Sequence, residues 1–374
     1  MFRTGVPVKG QDFLDRKKHL PTFRRHLENN QPVMIKAPRR FGKTSLIKQV
    51  FEHEGGYEYI MCDLRRAVSL KKLSEDIIDK AYAIAGVEGF VMNALIKGGS
   101  ALLELFRKLK SAKIEHIGEI TLEQLQVQTD DVELFLSALD TADKVGSKLK
   151  VNIKIVLDEF QDILVLADES ILNRLRTVAQ HHENLTYIFL GSIESIMTKI
   201  FEKKASPFFH FAQIMQLPPF DVGEIVEAAK ERLGAIGINQ FGELDRMIAF
   251  YNGHPDYTIQ ALQLLYNKVV VDEIKTIEFG LLQEVILDVA SNNGAYVEEL
   301  ISMAKKKKHH INVLHSIATD TPSGLDAKSL YQVRTSLEDM GLISKIEKGR
   351  YIINDILLLY VLMGKDALLL EDKA

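Results

Sequence analysis

Cysteine is almost missing from this chain: Cys62 stands alone among 374 residues. One thiol can make no internal disulfide and no cysteine-cluster zinc site. That excludes a disulfide scaffold and fits an intracellular compartment. Charge of one sign is lacking too. With 47 Lys and Arg against 51 Asp and Glu, the net charge is −4. No global basic field exists to attract nucleic acid, so only a local patch could do so. No run approaches the about 18 apolar residues of a membrane span. The most apolar stretch, Ile356 to Met363, is too short for that and reads as a buried strand or a core helix. The N-terminus, MFRTGVPVKGQDFLDRKK, has no apolar leader segment. A cytoplasmic protein without membrane insertion is therefore expected. Internal repeats and long Pro- or Ser-rich linkers are also missing.

What remains is an ordinary globular mixture, 46% hydrophobic and 26% charged. This excludes a wholly disordered chain or a collagen. At about 100–200 residues per domain, the length suggests two or three domains. Residues 12–29 carry Phe13, Leu14, Leu20, Phe23 and Leu27 at helical spacing. Val33, Met34 and Ile35 form a short apolar run bounded by turn formers, hence a buried strand. TSLIKQVFEH then reads as a helix, and residues 57–66 as a second strand. Residues 70–150 are mostly helical in pattern, including Leu102 to Leu109, with an interruption at Gly86 to Ser100; 110–130 cannot be placed. Val151 to Leu157 and Leu185 to Leu190 are further buried-strand candidates around a helix at Leu172 to Ala179. Strands alternating with helices predict a parallel sheet covered on both faces. From Asp221 the pattern is all-helical. After Lys305 to Lys308 come two helices and a hairpin turning at Lys348-Gly349, a winged-helix order with its middle helix short or missing in DTPSGLDAK.

The strongest motif is APRRFGKT, Ala37 to Thr44, between a strand and a helix. It fits the P-loop, with Ala in place of the first glycine. Gly42 allows unusual backbone angles and close approach to phosphate. Successive N–H groups at a helix start cradle the β-phosphate. Lys43 supplies a point charge to the β- and γ-phosphates, and the Thr44 hydroxyl is a Mg²⁺ ligand. Candidate nucleotide-binding residues are thus Ala37, Pro38, Arg39, Arg40, Phe41, Gly42, Lys43, Thr44 and Ser45. Arg39 and Arg40 either stabilise phosphate charge or reach a neighbouring subunit or lid; equally, they are exposed arginines beside an anion.

IKIVLDEF, Ile153 to Phe160, drives a strand through a sheet and presents acids at its C-terminal end, where ligands bind in open α/β sheets. Asp158 is expected to hold Mg²⁺, and Glu159 to orient or deprotonate the attacking water. Ser192, ending the next strand, either senses the γ-phosphate or caps the following helix. Gly253-His254-Pro255 reads as a helix stop and restart. His181 and His182 lack a matching ligand set and read as surface residues. No Ser/His/Asp or Cys/His arrangement stands out. No acceptor-site motif of a kinase, further helicase motif or N-K-x-D guanine reader is present, so adenine is the expected base. Residues 301–350 hold nine basic against five acidic residues, a local +4. That suits DNA phosphates, but Glu338 and Asp339 in SLYQVRTSLEDMG oppose Gln332 and Arg334 there.

Together PVKGQDFLDR, APRRFGKTSL, IVLDEFQDI, FLGSIESIM, GHP and the C-terminal pattern resemble the archaeal and bacterial ATPases of the STAND and AAA+ group. The resemblance implies an α/β P-loop NTPase of ASCE type: a parallel-sheet core over 1–218, a helical lid over 219–300 and a winged helix over 301–374. It implies ATP or ADP between core and lid, with Ser192 in the sensor position, Pro255 packing on the adenine and Pro7 to Gly10 lining its pocket. Relatives often carry a Gly-Arg pair where this chain has Pro207-Phe208-Phe209-His210-Phe211. A slow ATP hydrolase follows, or one that takes an arginine from another subunit. The expected role is a nucleotide-operated switch acting through a protein partner or self-association. The alternatives are a DNA-binding initiator-type ATPase using the winged helix, and a scaffold that binds nucleotide only for stability.

Overall fold

The computed structural model describes residues 2–364 apart from 17, 89–129, 193 and 348. The expected helix at Leu102 to Leu109, the unplaced 110–130 and most of the Gly86 to Ser100 interruption fall outside these residues, as does Lys348 of the hairpin turn. Five strands form one parallel sheet: β1 (Val33–Lys36), β2 (Tyr59–Asp63), β3 (Ile153–Asp158), β4 (Leu185–Gly191) and β5 (Gln213–Gln216), in the order β2-β3-β4-β1-β5. β3 and β4 are buried along their whole length, which explains their mostly apolar sequences; Lys154 of β3 is tolerated because its Nζ donates to the Leu27 carbonyl (2.8 Å) and Asn30 Oδ1 (2.6 Å). The strand at 213–216 was not expected. Only Met215 of its four residues is buried, so an edge strand leaves almost no hydrophobic signature.

Helices α1 (His19–Glu28), α2 (Lys43–Lys48), α3 (Leu70–Ile84), α4 (Asp131–Leu149), α5 (Ser170–Ala179) and α6 (Glu194–Phe201) cover this sheet. The helical spacing over 12–29 becomes a helix only from His19. Before it, Asp15 and Arg16 take positive φ, at 59° and 71°, as the Arg16 side chain turns inward. Beneath the end of β3, Phe160, Phe189, Phe201 and Phe208 pack ring against ring, with Phe160 and Phe189 centroids 4.6 Å apart. This aromatic cluster fixes the backbone that carries Glu159. His182 corrects the surface assignment: its ring lies between Tyr187 Oη (2.7 Å) and Asp140 Oδ1 (2.8 Å), with a side chain 5% exposed. His181 is exposed.

The helices consistent with a lid, called the lid below, are α7 (Val222–Gly234), α8 (Leu244–Phe250), α9 (Pro255–Val271), α10 (Phe279–Asn292) and α11 (Gly294–Lys305). α12 (His310–Thr319), α13 (Ala327–Asp339), the antiparallel hairpin β6 (Ile343–Glu347) and β7 (Arg350–Ile353), and α14 (Ile356–Met363) follow. Ile356 to Met363 is therefore a helix, started by Asp355, whose Oδ1 accepts the Leu358 N–H at 2.9 Å. The boundary expected at 300/301 falls inside α11. One hydrophobic cluster runs from Ile225 in α7 to Leu362 in α14, so burial continues through that point. Among the described residues no helix is long and apolar enough to cross a membrane.

Candidate functional site

The site lies at the C-terminal ends of β1, β3 and β4, where α2 begins. Gly42 has φ +82°, and a Cβ there would meet nothing within 4 Å. That left-handed backbone conformation selects glycine. Lys43 is buried, and its Nζ donates to the carbonyls of Ala37 (2.8 Å) and Pro38 (3.0 Å), closing the loop on itself. The Thr44 hydroxyl donates to Asp158 Oδ2 at 3.1 Å. The two motifs, 114 residues apart, thus meet at one point.

Glu159 occupies the left-handed region at φ +52°, a strained setting for a non-glycine residue. Its Oε2 accepts from Ser192 Oγ (2.5 Å), Gln161 Nε2 (2.5 Å) and, more distantly, Arg65 (3.4 Å). Arg65 is itself fixed by Asp162 at 2.9 Å. Burial, and then the charge of Glu159, push the Asp158 carboxyl up. Burial also pushes Glu159 up, but hydrogen bonds from Ser192 and Gln161 and the charges of Lys43 and Arg65 outweigh it. Its carboxyl is held below the ordinary value. A carboxyl held ionised beside the phosphate loop suits a base.

Thr44 Oγ1 and Asp158 Oδ2 are the oxygen donors a hard divalent cation takes. No group of three or more His, Cys, Asp or Glu gathers anywhere among the described residues. A Mg²⁺ held here would need phosphate oxygens and waters to complete its shell.

The cleft above has a volume of about 740 Å³ and three walls: the loop, the lid and the N-terminal segment. Such a volume accommodates a nucleotide. Pro255 lines it and also starts α9, so the helix restart and the cleft contact coexist. His254 caps α9 and stands edge-on to Phe41, with centroids 5.0 Å apart. Burial, then the charge of Arg40, depress the His254 imidazole to about 3. Gly253 has φ +68°, and a Cβ there would lie 2.3 Å from the Phe220 carbonyl oxygen, so this position tolerates nothing larger.

Arg39 is exposed. Arg40 reaches the lid: it approaches Asp256 Oδ2 (3.2 Å) and Asn293 Oδ1 (3.4 Å) and lies 4.3 Å over the Tyr296 ring. The N-terminal segment is tied to both sides. The Val8 N–H donates to Ser45 Oγ at 3.2 Å, while Thr4 bonds Gln263 of α9 at 2.5 Å. Four residues here escaped the sequence reading: Arg16, Arg65, Gln263 and Asn293. Arg16 is 2% exposed and donates to the carbonyls of Pro218 (2.6 Å) and Phe41 (3.1 Å). Its only sequence signal is its place in PVKGQDFLDR. His210, in the segment where an arginine was sought, does not line the cleft.

A family described as an ATPase domain predominantly from Archaea matches residues 13–261, more than half the chain. No curated protein matches the sequence. Among solved structures, the chain is similar to a Walker-type ATPase of Pyrococcus abyssi. Identity is 16%, coverage 95% of this chain and 97% of that one, and the TM-score 0.66. It is also similar to the ORC2 protein of Aeropyrum pernix in ADPNP-ADP complexes. There identity is 14%, coverage 97% and 94%, and the TM-score 0.55. At these identities the likeness shows the fold: a parallel-sheet P-loop ATPase core with helices consistent with a lid.

Proposed function

Because the chain belongs to the family of ATPase domains found predominantly in Archaea, we propose that it binds Mg-ATP in the cleft, hydrolyses it slowly and works as a nucleotide-operated switch of STAND or AAA+ type. The observation that carries this reading is the meeting of Thr44 with Asp158 beside a Glu159 held ionised by Ser192. Loop N–H groups and Lys43 bind the phosphates. Thr44 and Asp158 would hold Mg²⁺, which would supply charge neutralisation at the phosphates. Glu159 orients a water and accepts its proton as the γ-phosphoryl group passes to it. The structure of Aeropyrum pernix ORC2 in ADPNP-ADP complexes supports adenine nucleotides as the ligand class. ATP and ADP move the lid because they contact it differently, since a ligand shifts an equilibrium only by differential affinity. The output is protein recruitment or self-association. The nucleotide content of purified protein tests the reading. ADP near one per chain, missing from Lys43→Ala, supports it; no binding of added Mg-ATP or Mg-ADP overturns it.

Ser192→Ala is expected to lower turnover about 10- to 100-fold, the worth of one hydrogen bond to a charged group. ATP affinity should stay within a factor of about three. Since that bond holds Glu159 down, its loss moves the acid limb of the pH–rate profile to higher pH. Steady-state kinetics from pH 5 to 9 check both.

His254 gives a stability test. Its unfolded form takes up a proton below the ordinary 6.5 and its folded form only near 3. The unfolded state thus binds more protons between these values, and stability falls as pH falls through that window. The slope reaches about 1.4 kcal/mol per pH unit. His254→Asn keeps a capping acceptor and cannot titrate, so urea midpoints between pH 7 and 4 should fall less steeply in the variant.

A DNA-binding role has one supporting observation, if α12, α13 and the hairpin are read as a winged helix. The Glu338 carbonyl and the Asp339 carboxylate face the core, while Lys328, Gln332, Lys345 and Arg350 are exposed. One of the two acids that oppose phosphate, Asp339, is thereby directed to the core, whereas the Glu338 carboxyl stays near Lys345. Lys328→Glu/Lys345→Glu/Arg350→Glu is expected to remove any salt-sensitive duplex affinity. Affinity unchanged in this variant would reject the role.

A further inference from the structure

Three hydrophobic clusters divide the described residues unequally. Two lie within the sheet and its helices. The third joins α7, α9 and α10 of the lid to Val313, Leu337, Ile353 and Leu358 of the C-terminal unit. Polar and aromatic contacts reinforce that join. Tyr257 Oη of α9 donates to Asp355 Oδ2 at 2.6 Å, and Asp355 caps α14. The Tyr360 ring stacks on Phe250 at 4.5 Å, and its hydroxyl donates to the Phe250 carbonyl at 2.7 Å.

The C-terminal unit meets the core differently. Ser195 Oγ of α6 donates to the Glu338 carbonyl (3.0 Å) and approaches Asp339 Oδ1 (3.3 Å). Lys199 Nζ donates to the same Asp339 oxygen at 2.6 Å. Both members of that ion pair are half-exposed, 52% and 39%. Such pairs contribute little and are screened by salt, so they open at small cost. The apolar join, by contrast, cannot open without exposing a core. The contact also sits close to the chemistry. Ser195 is three residues from Ser192, whose hydroxyl holds Glu159.

We propose that the lid and the C-terminal unit move as one rigid body, and that Ser195 and Lys199 with Glu338 and Asp339 form a clasp that ATP opens. The clasp rests on the switch reading above. A γ-phosphate and its attacking water shift Glu159 together with the Ser192 hydroxyl bonded to it, and Ser192 draws the start of α6 with it. The body then swings about the Pro218–Phe220 hinge, where Arg16 holds the Pro218 carbonyl and lies 4.9 Å over the Phe220 ring.

Distances between spin labels on the full chain test this. The pair Lys204→Cys/Gln332→Cys spans core and C-terminal unit, and Glu227→Cys/Gln332→Cys spans lid and C-terminal unit; all three positions are exposed. Cys62 can stay, because it is 1% exposed and burial pushes its thiol up to about 12. With Mg²⁺ and a non-hydrolysable ATP analogue the first distance should lengthen; with ADP it should not. The second should be the same in every state. Lys199→Glu should give the long first distance without nucleotide, and Lys199→Glu/Asp339→Lys should restore the short one. A second distance that changes with nucleotide overturns the single body. A first distance that ignores Lys199→Glu, or lengthens with ADP instead, overturns the clasp. If equilibrium dialysis shows no nucleotide bound, the switch reading fails alone. The charge-reversal pair then still decides the clasp, and hydrogen exchange decides the rigid body: α9 and α14 must lose protection together in rising urea.

Discussion

Lys43→Ala is expected to remove nucleotide binding while leaving the fold intact. Truncating one partner of a buried, hydrogen-bonded charge contact costs about 2–5 kcal/mol, or about 30- to 5,000-fold in affinity. Lys43 is 6% exposed and sits at the start of α2, where the phosphate cradle forms. Its removal strands the Ala37 and Pro38 carbonyls that it now satisfies. It also removes an ammonium that was costly to bury. These effects oppose each other, so the nucleotide-free variant should melt within about 4 °C of the parent, the shift expected for about 1 kcal/mol. Calorimetric titration with Mg-ADP and thermal melts without nucleotide check the two halves. Undiminished affinity would remove Lys43 from the phosphate site.

Glu159→Gln should separate chemistry from binding. General-base contributions run to about 10²- to 10⁴-fold, and turnover should fall by that amount. Affinity for Mg-ATP should hold, because Thr44 and Asp158 are untouched and a glutamine oxygen still accepts from Ser192. One further consequence has a definite sign. The Glu159 charge now pushes the Asp158 carboxyl up. Without it Asp158 ionises more readily, and less Mg²⁺ should saturate ATP binding. Single-turnover hydrolysis beside a Mg²⁺ titration reads both. Equal turnover in variant and parent would support the rival scaffold, in which nucleotide serves only stability.

The core of the site was legible because its grammar is local. Strand, tight loop and helix follow one another within Val33 to Lys48, and Gly42, Lys43 and Thr44 each have a job that their own chemistry dictates. The same holds for Asp158 and Glu159, which stand at the end of a mostly apolar strand that is buried along its length. Ser192 was half legible. Its strand end was plain, but its bond to Glu159 spans 33 residues. Arg65 and Arg16 were not legible. Each acts on a partner 94 to 202 residues away, and an arginine looks the same in sequence whether it faces water or a buried carbonyl.

By itself, then, the sequence determined a parallel α/β fold, the phosphate loop, the acidic pair and an all-helical region after Asp221. These depend on side-chain periodicity and on residue types within a few positions of each other. Only the tertiary structure decided that Arg40 turns to the lid, that His182 is enclosed and that an edge strand closes the sheet at Gln213–Gln216. It alone decided that lid and C-terminal unit share one core. Burial and pairing are properties of what folds against a residue, and those neighbours come from distant parts of the chain.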